Sequence, residues 1–235
     1  MSHTQHKDNV SVIFFSCRRL HLLEQTVSAF VHLNTYPHMA KHIIVNDSGD
    51  VNIHNQLKRD YKGFTLVLND TNMGLIGSID IGYSHITTDF FFHLEDDWKV
   101  IKGGFIEKSL DIMKERDGIE EVWLQDYNKQ PLEPLILYAN KTPYKLVGEN
   151  HQKGLNGYNN FAWHGFTTAI GLKRISDYNK IKPYADIPWQ GTIWHREQAI
   201  GERYHDLGYR SACLLEDYAT NIGYGQSEYK TGLEK

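Results

Sequence analysis

The sequence predicts an α/β fold with a mostly parallel central sheet, helices on both of its faces, and a smaller mixed region toward the C-terminus. Three observations predict it. Short apolar runs alternate with stretches of helical periodicity over about the first hundred residues. The runs end abruptly in polar or acidic residues. After residue 101 the alternation becomes irregular and richer in aromatic residues. Strands separated by helical stretches are the pattern of βαβ units, and right-handed crossovers bring the strand C-termini to one edge.

Val10 to Phe15 is a short apolar run, read as a buried strand. Leu20 to Leu33 repeats apolar residues at helical spacing through Leu22, Leu23, Val27, Phe30 and Val31. His42 to Val45 is a second strand, closed by the turn signal Asn46-Asp47-Ser48-Gly49-Asp50. Phe64 to Leu68 is a third strand, Gly74 to His85 a helix, and Thr88 to Leu94 a fourth strand running into acids. Phe105 to Arg116 reads as an amphipathic helix and Val122 to Gln125 as a strand. Pro131 to Asn160, rich in Pro, Gly, Asn, Lys and Tyr, reads as hairpins and loops. Phe166 to Leu172 reads as a strand, followed by a short helix from Arg174. Ile193 to Leu207 is a helix with Gly208 as its stop, Ser211 to Leu215 is a last strand, and the tail from Gly223 is expected to be mobile. No repeat or linker divides the chain, so residues 1–235 are read as one domain.

Composition narrows the function classes. Hydrophobic content of 40% with 23% charged residues is that of a globular chain, and a net charge of −4 without a basic stripe gives no broad grip on nucleic acid. Only Cys17 and Cys213 are present, too few for a disulfide framework. The polar start lacks the apolar centre of a signal peptide, and no apolar run approaches the ~18–20 residues of a membrane span. The expected location is the cytoplasm.

The run Phe90-Phe91-Phe92-His93-Leu94-Glu95-Asp96-Asp97-Trp98 carries the most chemistry. Adjacent carboxylates repel, and a hard divalent cation such as Mg²⁺ or Mn²⁺ relieves that repulsion through oxygen ligands, waters and substrate phosphates. Acids at a strand C-terminus also lie where open α/β sheets bind ligands. A solvated charged loop is the plainer reading of such a triplet.

These residues resemble GT-A glycosyltransferases, in particular the large inverting family of small soluble nucleotide-sugar transferases, with a Rossmann-like sheet. Val10 to Arg19, followed by Leu22-Leu23-Glu24-Gln25-Thr26-Val27, resembles the family's opening strand, loop and helix. His42 to Gly49 resembles its second strand ending in an acid. Asn72-Met73-Gly74 and Gly82 resemble its Asn-x-Gly turn and helix, and Glu95-Asp96-Asp97 falls at its metal-binding Asp-x-Asp position. Trp194-His195-Arg196-Glu197-Gln198, before Gly208-Tyr209-Arg210, resembles the Glu-Asp helix that precedes a Gly-Tyr-Arg strand, with Arg196 and Glu197 in place of Glu and Asp. Asn221-Ile222-Gly223 stands where many relatives have His-Ile-Gly. The chain is also similar to small transferases of phages and large viruses, which would place it in a host cytoplasm.

The resemblance implies a metal-dependent inverting transfer of a sugar from a nucleotide-diphosphate donor to a hydroxyl, with residues 10–100 as the nucleotide-sugar half and 101–235 as the acceptor half. Asp97 would hold Mn²⁺ or Mg²⁺, with Glu95 orienting a water or a neighbour. Asp96 would accept from ribose hydroxyls. Asp47 would accept from a uracil- or thymine-type N–H of a UDP- or dTDP-type donor, although Asp in Asn-Asp-Ser-Gly is also a favoured turn residue. Ser16, Asn72 and Gly74 would line the nucleotide edge. Arg18 and Arg19 would face base or phosphate, or form a solvated pair at a helix start. Glu197 would be the general base, with Asp186 in reserve and a plain surface acid as the alternative. Trp163, His164, Trp189 and Trp194 are candidates for contacts with sugar or acceptor, a buried satisfied histidine being the competing reading for His164.

Two rivals differ in class. A nucleotidyltransferase also holds Mg²⁺ with acids near such a sheet, but its first loop is Gly-rich, and Ser16-Cys17-Arg18-Arg19-Leu20 contains no Gly. A non-catalytic carbohydrate- or nucleotide-binding module is favoured by Arg196 and Asn221. No Gly-x-x-x-x-Gly-Lys loop and no Gly-x-Ser-x-Gly elbow is present. The acceptor class stays open among glycan, protein and a hydroxymethylated DNA base, the last disfavoured by the acidic balance.

Overall fold

The computed structural model describes residues 9–124, 131–148, 163–190 and 193–224, with only the main chain for residues 193 and 194. The expected mobile tail beyond residue 224 and the loop residues 149–160 lie outside the described residues.

The first half follows the sequence pattern. Strand β1 (Val10–Ser16) pairs in parallel with β2 (Met39–Asn46) and with β4 (Phe90–Glu95), and β2 pairs in parallel with β3 (Thr65–Leu68). Alternation along β1 assigns its side chains to two cores. Val12 and Phe14 meet Leu23, Val27 and Phe30 of α1 (Leu20–Leu33), Leu57 of α2 (Val51–Asp60), and Phe105 and Ile106 of α4 (Phe105–Glu115). Ile13 and Phe15 meet Ile76, Ile79 and Tyr83 of α3 (Gly74–Tyr83) on the opposite face. The rings of Phe14, Phe92 and Phe105 all lie within 6 Å of Phe30. Each such buried Phe contributes roughly 1.5–3 kcal/mol of transfer free energy.

The second half extends the same sheet. Strands β6 (Ile119–Trp123), β7 (Leu137–Ala139), β8 (Thr142–Leu146), β9 (Ile170–Arg174) and β10 (Arg210–Leu214) complete nine strands in the order β3-β2-β1-β4-β9-β6-β10-β8-β7. Strand β9 is antiparallel to both β4 and β6, so the sheet is parallel from β3 to β4 and mixed beyond it. Helices α5 (Ile175–Ile181) and α6 (Ile193–Asp206) cover the α3 face through Tyr178, Ile200 and Tyr204. A second, two-stranded ladder joins β5 (Trp98–Val100) to β11 (Ala219–Asn221).

Several element boundaries differ from the sequence expectation for identifiable reasons. Helix α2 begins in what reads as a turn: Asp50 caps it, accepting from the main-chain N–H of Asn52 at 2.7 Å, and its buried side is little more than His54 and Leu57. Strand β6 starts at Ile119 rather than Val122 because Glu120 and Glu121 are buried inside it. Glu121 ion-pairs with buried Lys173 of β9 and also accepts from the indole N–H of Trp123 at 2.7 Å, which satisfies an acid that a hydropathy pattern excludes from a core.

One carboxylate fastens the segment from Tyr178 to Ala185 to helix α3. Asp80 of α3 accepts from the Tyr178 hydroxyl at 2.8 Å and from the main-chain N–H groups of Tyr184 and Ala185 at 2.9 and 2.8 Å. Asp80→Ala leaves three donors without their acceptor. It is expected to lower stability by about 2–4 kcal/mol, read as a lower urea midpoint with an unchanged m-value. A loss under 1 kcal/mol would show that water replaces the carboxylate there.

Candidate active site

The parallel strands carry their polar ends to one edge, as their directions require. Ser16 ends β1, Asn46 ends β2 and precedes Asp47, Asn69 and Asn72 follow β3, and Glu95 ends β4 with Asp96 and Asp97 in the turn into β5.

At the end of β2, Asp47 is 4% exposed. Its Oδ1 accepts from the Asn69 amide at 2.7 Å and from the Met73 N–H at 2.8 Å, while its Oδ2 is buried with no hydrogen-bond partner. Asn72 donates to the Asp47 carbonyl at 2.9 Å and accepts from the Gly74 N–H at 3.1 Å. Asn72 and Gly74 therefore build the turn into α3, where Gly74 supplies a φ of +74°. Asn69, which the sequence reading missed, is what orients the Asp47 carboxylate. The polar run Asn69-Asp70-Thr71-Asn72 after β3 was its only signal.

At the end of β4, alternation divides the acids. Asp96 is 1% exposed and turns toward α1, where the Thr26 hydroxyl donates to its main-chain carbonyl at 2.7 Å. Arg19 reaches across from the start of α1 and pairs with both Asp96 Oδ1 and Asp97 Oδ2, the latter at 3.1 Å. Thus Arg19 faces carboxylates and not solvent, whereas Arg18 is exposed. Burial pushes the Asp96 carboxyl up to about 6, against the pull of Arg19 and of the Ser16 hydroxyl. Asp96 Oδ2 and Asp97 Oδ1 remain buried without a hydrogen-bond partner. The main-chain carbonyl of Asp97 accepts from Ile222 N–H at 2.8 Å, and a Cβ at Gly223 would stand 2.6 Å from Asp97 Oδ2, so the Asn221-Ile222-Gly223 segment lies directly on Asp97. Asn221 uses its Oδ1 to accept from the Gly223 N–H at 2.9 Å.

Glu95 turns to the other face. It lies 3.5 Å from the Thr168 hydroxyl, and Glu197 of α6 accepts from that same hydroxyl at 2.6 Å and from the Thr168 N–H at 2.7 Å. Thr168 precedes β9, whose antiparallel pairing with β4 sets it beside the strand end. This threonine is the second residue that the sequence reading missed, since nothing in its local pattern marks it. Burial first, then Asp97 and Glu197, hold the Glu95 carboxyl well above the usual carboxylate range. Burial also raises Glu197, against the two hydrogen bonds from Thr168. Glu95 therefore sits with Glu197 rather than in the pair shared by Arg19.

The remaining candidates scatter. Asp186 is exposed on a 3₁₀ turn, Tyr184–Asp186, and lines a surface cleft with Lys182, Arg203 and Asp206, apart from the carboxylate edge. Arg196 donates to the Ala185 carbonyl at 2.9 Å and stacks over Trp189 at 5.0 Å, which ties α6 to that same turn. Trp189 stays 37% exposed. Trp163 is partly buried and packs on Trp123 at 5.2 Å beside Val147 and Cys213. His164 stacks on His205 of α6 at 3.9 Å. The side chain of Trp194 lies outside the described residues.

The partnerless oxygens of Asp96 and Asp97 are hard ligands of the kind a Mg²⁺ or Mn²⁺ ion takes beside waters and phosphates. Among the described residues no group of three or more His, Cys, Asp or Glu forms a metal cage. No helix among them is long and apolar enough to cross a membrane.

One edge of the sheet thus carries Asp47 after β2 and Glu95, Asp96 and Asp97 at and after the end of β4. The model of glycosyl transferase family 2 matches residues 11–133, more than half of the sequence, and the chain belongs to that family. No curated protein sequence matches it significantly. Among solved structures it is similar to GalNAc-T7 with UDP, GalNAc and Mn²⁺, at a TM-score of 0.64 and 12% identity over 89% of this chain and 43% of that one. It is also similar to the mannosyltransferase PcManGT from Pyrobaculum calidifontis in complex with GDP-Man and Mn²⁺, at a TM-score of 0.61 and 10% identity over 91% of this chain and 56% of that one. At these identities the likeness is one of fold, and this chain spans about half the length of either.

Proposed function

We propose that the protein is a metal-dependent, inverting glycosyltransferase that moves a sugar from a nucleotide-diphosphate donor to a hydroxyl acceptor. The observation that carries this reading is the pair of buried, partnerless oxygens on Asp96 and Asp97 at the β4 end, beside the partnerless Asp47 Oδ2 at the β2 end. In this reading Asp47 Oδ2 accepts a ring N–H of the donor base, while Asn69 and the Met73 N–H hold its other oxygen. Asp96 and Asp97 hold the cation, and Asp96 also meets ribose hydroxyls. The bound Mn²⁺ or Mg²⁺ offsets charge developing on the departing diphosphate. Glu197, fixed by Thr168, removes the acceptor proton as the acceptor oxygen bonds to the anomeric carbon and the carbon–phosphate-oxygen bond breaks. Inversion follows from this single in-line displacement. The two fold neighbours bind UDP in one case and GDP-Man in the other, each with Mn²⁺, which supports a nucleotide-sugar donor and leaves the base of this donor to be found.

The test is a thermal-shift panel of nucleotide diphosphates and nucleotide sugars, each with and without Mn²⁺. The true donor raises the melting temperature by mass action, and does so more with Mn²⁺. No shift with any of them would turn the reading toward a module that has lost its donor site. Asp47→Ala is expected to weaken donor binding by roughly 10–100-fold, the worth of one charged hydrogen bond, and to leave the Mn²⁺ enhancement in place. Preserved donor affinity with a lowered melting temperature would assign Asp47 to the turn alone.

A further inference from the structure

Arg19 takes one oxygen from each of the two acids and leaves the other oxygen of each without a partner. The guanidinium and a cation would therefore share the same two carboxylates through different oxygens. We infer that Arg19 makes cation binding conditional on the donor: by neutralising one of the two acid charges it holds a bare divalent cation weakly, and it rewards a cation that arrives with a diphosphate. This inference rests on the metal-and-donor reading above.

The charge balance gives the sign. Asp96 and Asp97 together carry −2 when ionised and Arg19 carries +1, so the guanidinium offsets half of the charge this pair presents to a bare cation. A unit positive charge about 5 Å from a divalent ion weakens its binding on the order of tenfold even in water's dielectric, and more in a site this buried. A nucleotide diphosphate reverses the effect, because its oxygens are attracted by the same guanidinium, and planar N–H groups suit phosphate recognition. The placement is built into the fold. Arg19 directly precedes α1, the Thr26 hydroxyl of that helix donates to the Asp96 carbonyl, and only 16% of the Arg19 side chain is exposed. The arginine is thus held against the pair and is not a surface residue that swings freely through solvent.

The test compares wild type, Arg19→Gln, Arg19→Met and Arg19→Lys by Mn²⁺ titration, followed by electron paramagnetic resonance and by calorimetry. Each is titrated with the metal alone and then with uridine or guanosine diphosphate, whichever wild type binds. Both charge-free variants are expected to bind Mn²⁺ alone about tenfold or more tightly than wild type, and Arg19→Lys is expected to stay near wild type. The factor by which the nucleotide strengthens Mn²⁺ binding is expected to fall by about as much, since coupling between two ligands is reciprocal. Mn²⁺ affinity unchanged or weakened in both charge-free variants, with melting temperatures showing them folded, overturns the inference and makes Arg19 a simple clamp on the acids. Failure of wild type to bind any nucleotide diphosphate more tightly with Mn²⁺ is a different outcome, and it sinks the underlying reading itself.

Discussion

Asp97→Ala is expected to remove metal-dependent nucleotide binding while the protein stays folded. The expected loss in Mn²⁺-dependent affinity for a nucleotide diphosphate is at least about 100-fold, since even residues that only orient a metal's ligands cost 10–100-fold when removed. The fold should survive because the fastening of this turn runs through the main chain. The Asp97 carbonyl accepts from Ile222 N–H, and β5 pairs with β11 immediately after it. The lost carboxylate also frees Arg19 from one of its two acids, which leaves Asp96 to hold the guanidinium alone. Calorimetry with Mn²⁺ and nucleotide, beside a thermal melt without either, separates the two effects. Unchanged Mn²⁺-dependent affinity in the mutant would place the cation elsewhere and leave Asp97 as the acid that seats Gly223.

The N-terminal half of this fold was legible because its signals are local. Val10 to Phe15 and Phe90 to Leu94 are apolar except for Ser11 and His93, as strands buried on both faces nearly are, and each ends where the chain turns polar. The acids after β2 and β4, Asp47 and Asp96 with Asp97, reach one edge simply because β2 and β4 both run parallel to β1. What stayed hidden depends on partners distant in sequence. Nothing in Ser16-Cys17-Arg18-Arg19 says which arginine turns inward, and Arg19 is fixed by acids more than 70 residues away. Glu120 and Glu121 read as solvent-facing until Lys173 and Ser211 are placed beside them. Trp163 reads as a candidate for sugar or acceptor contacts, and its packing on Trp123, 40 residues earlier, leaves no mark in the local pattern. Thr168 carries no charge to draw notice, and its importance comes wholly from standing between Glu95 and Glu197.

Glu197→Gln is expected to lower transfer by roughly 10²–10⁴ while sparing donor binding, the usual cost of removing a general base. The substitution suits the site. Glu197 Oε1 accepts from both the N–H and the hydroxyl of Thr168, and a glutamine oxygen can accept the same two bonds, so the side chain should hold its place. What is lost is the capacity to take a proton. The wild-type group also predicts the shape of the pH profile. Burial raises the Glu197 carboxyl above the usual range, the base works only when ionised, and transfer should therefore fall on the acid side at a higher pH than an exposed glutamate would give. Thr168→Val removes the hydroxyl and keeps the N–H. It takes away one of the bonds that favour the ionised form, so it should move that acid limb further up in pH. Transfer to an acceptor hydroxyl must be measured, because donor hydrolysis uses water and need not engage this base. Asp186→Asn is the matched control, since it lies exposed on its own 3₁₀ turn and should change transfer little. Near-normal transfer by Glu197→Gln with a dead Asp186→Asn would move the base to that turn and leave Glu197 as a structural partner of Thr168.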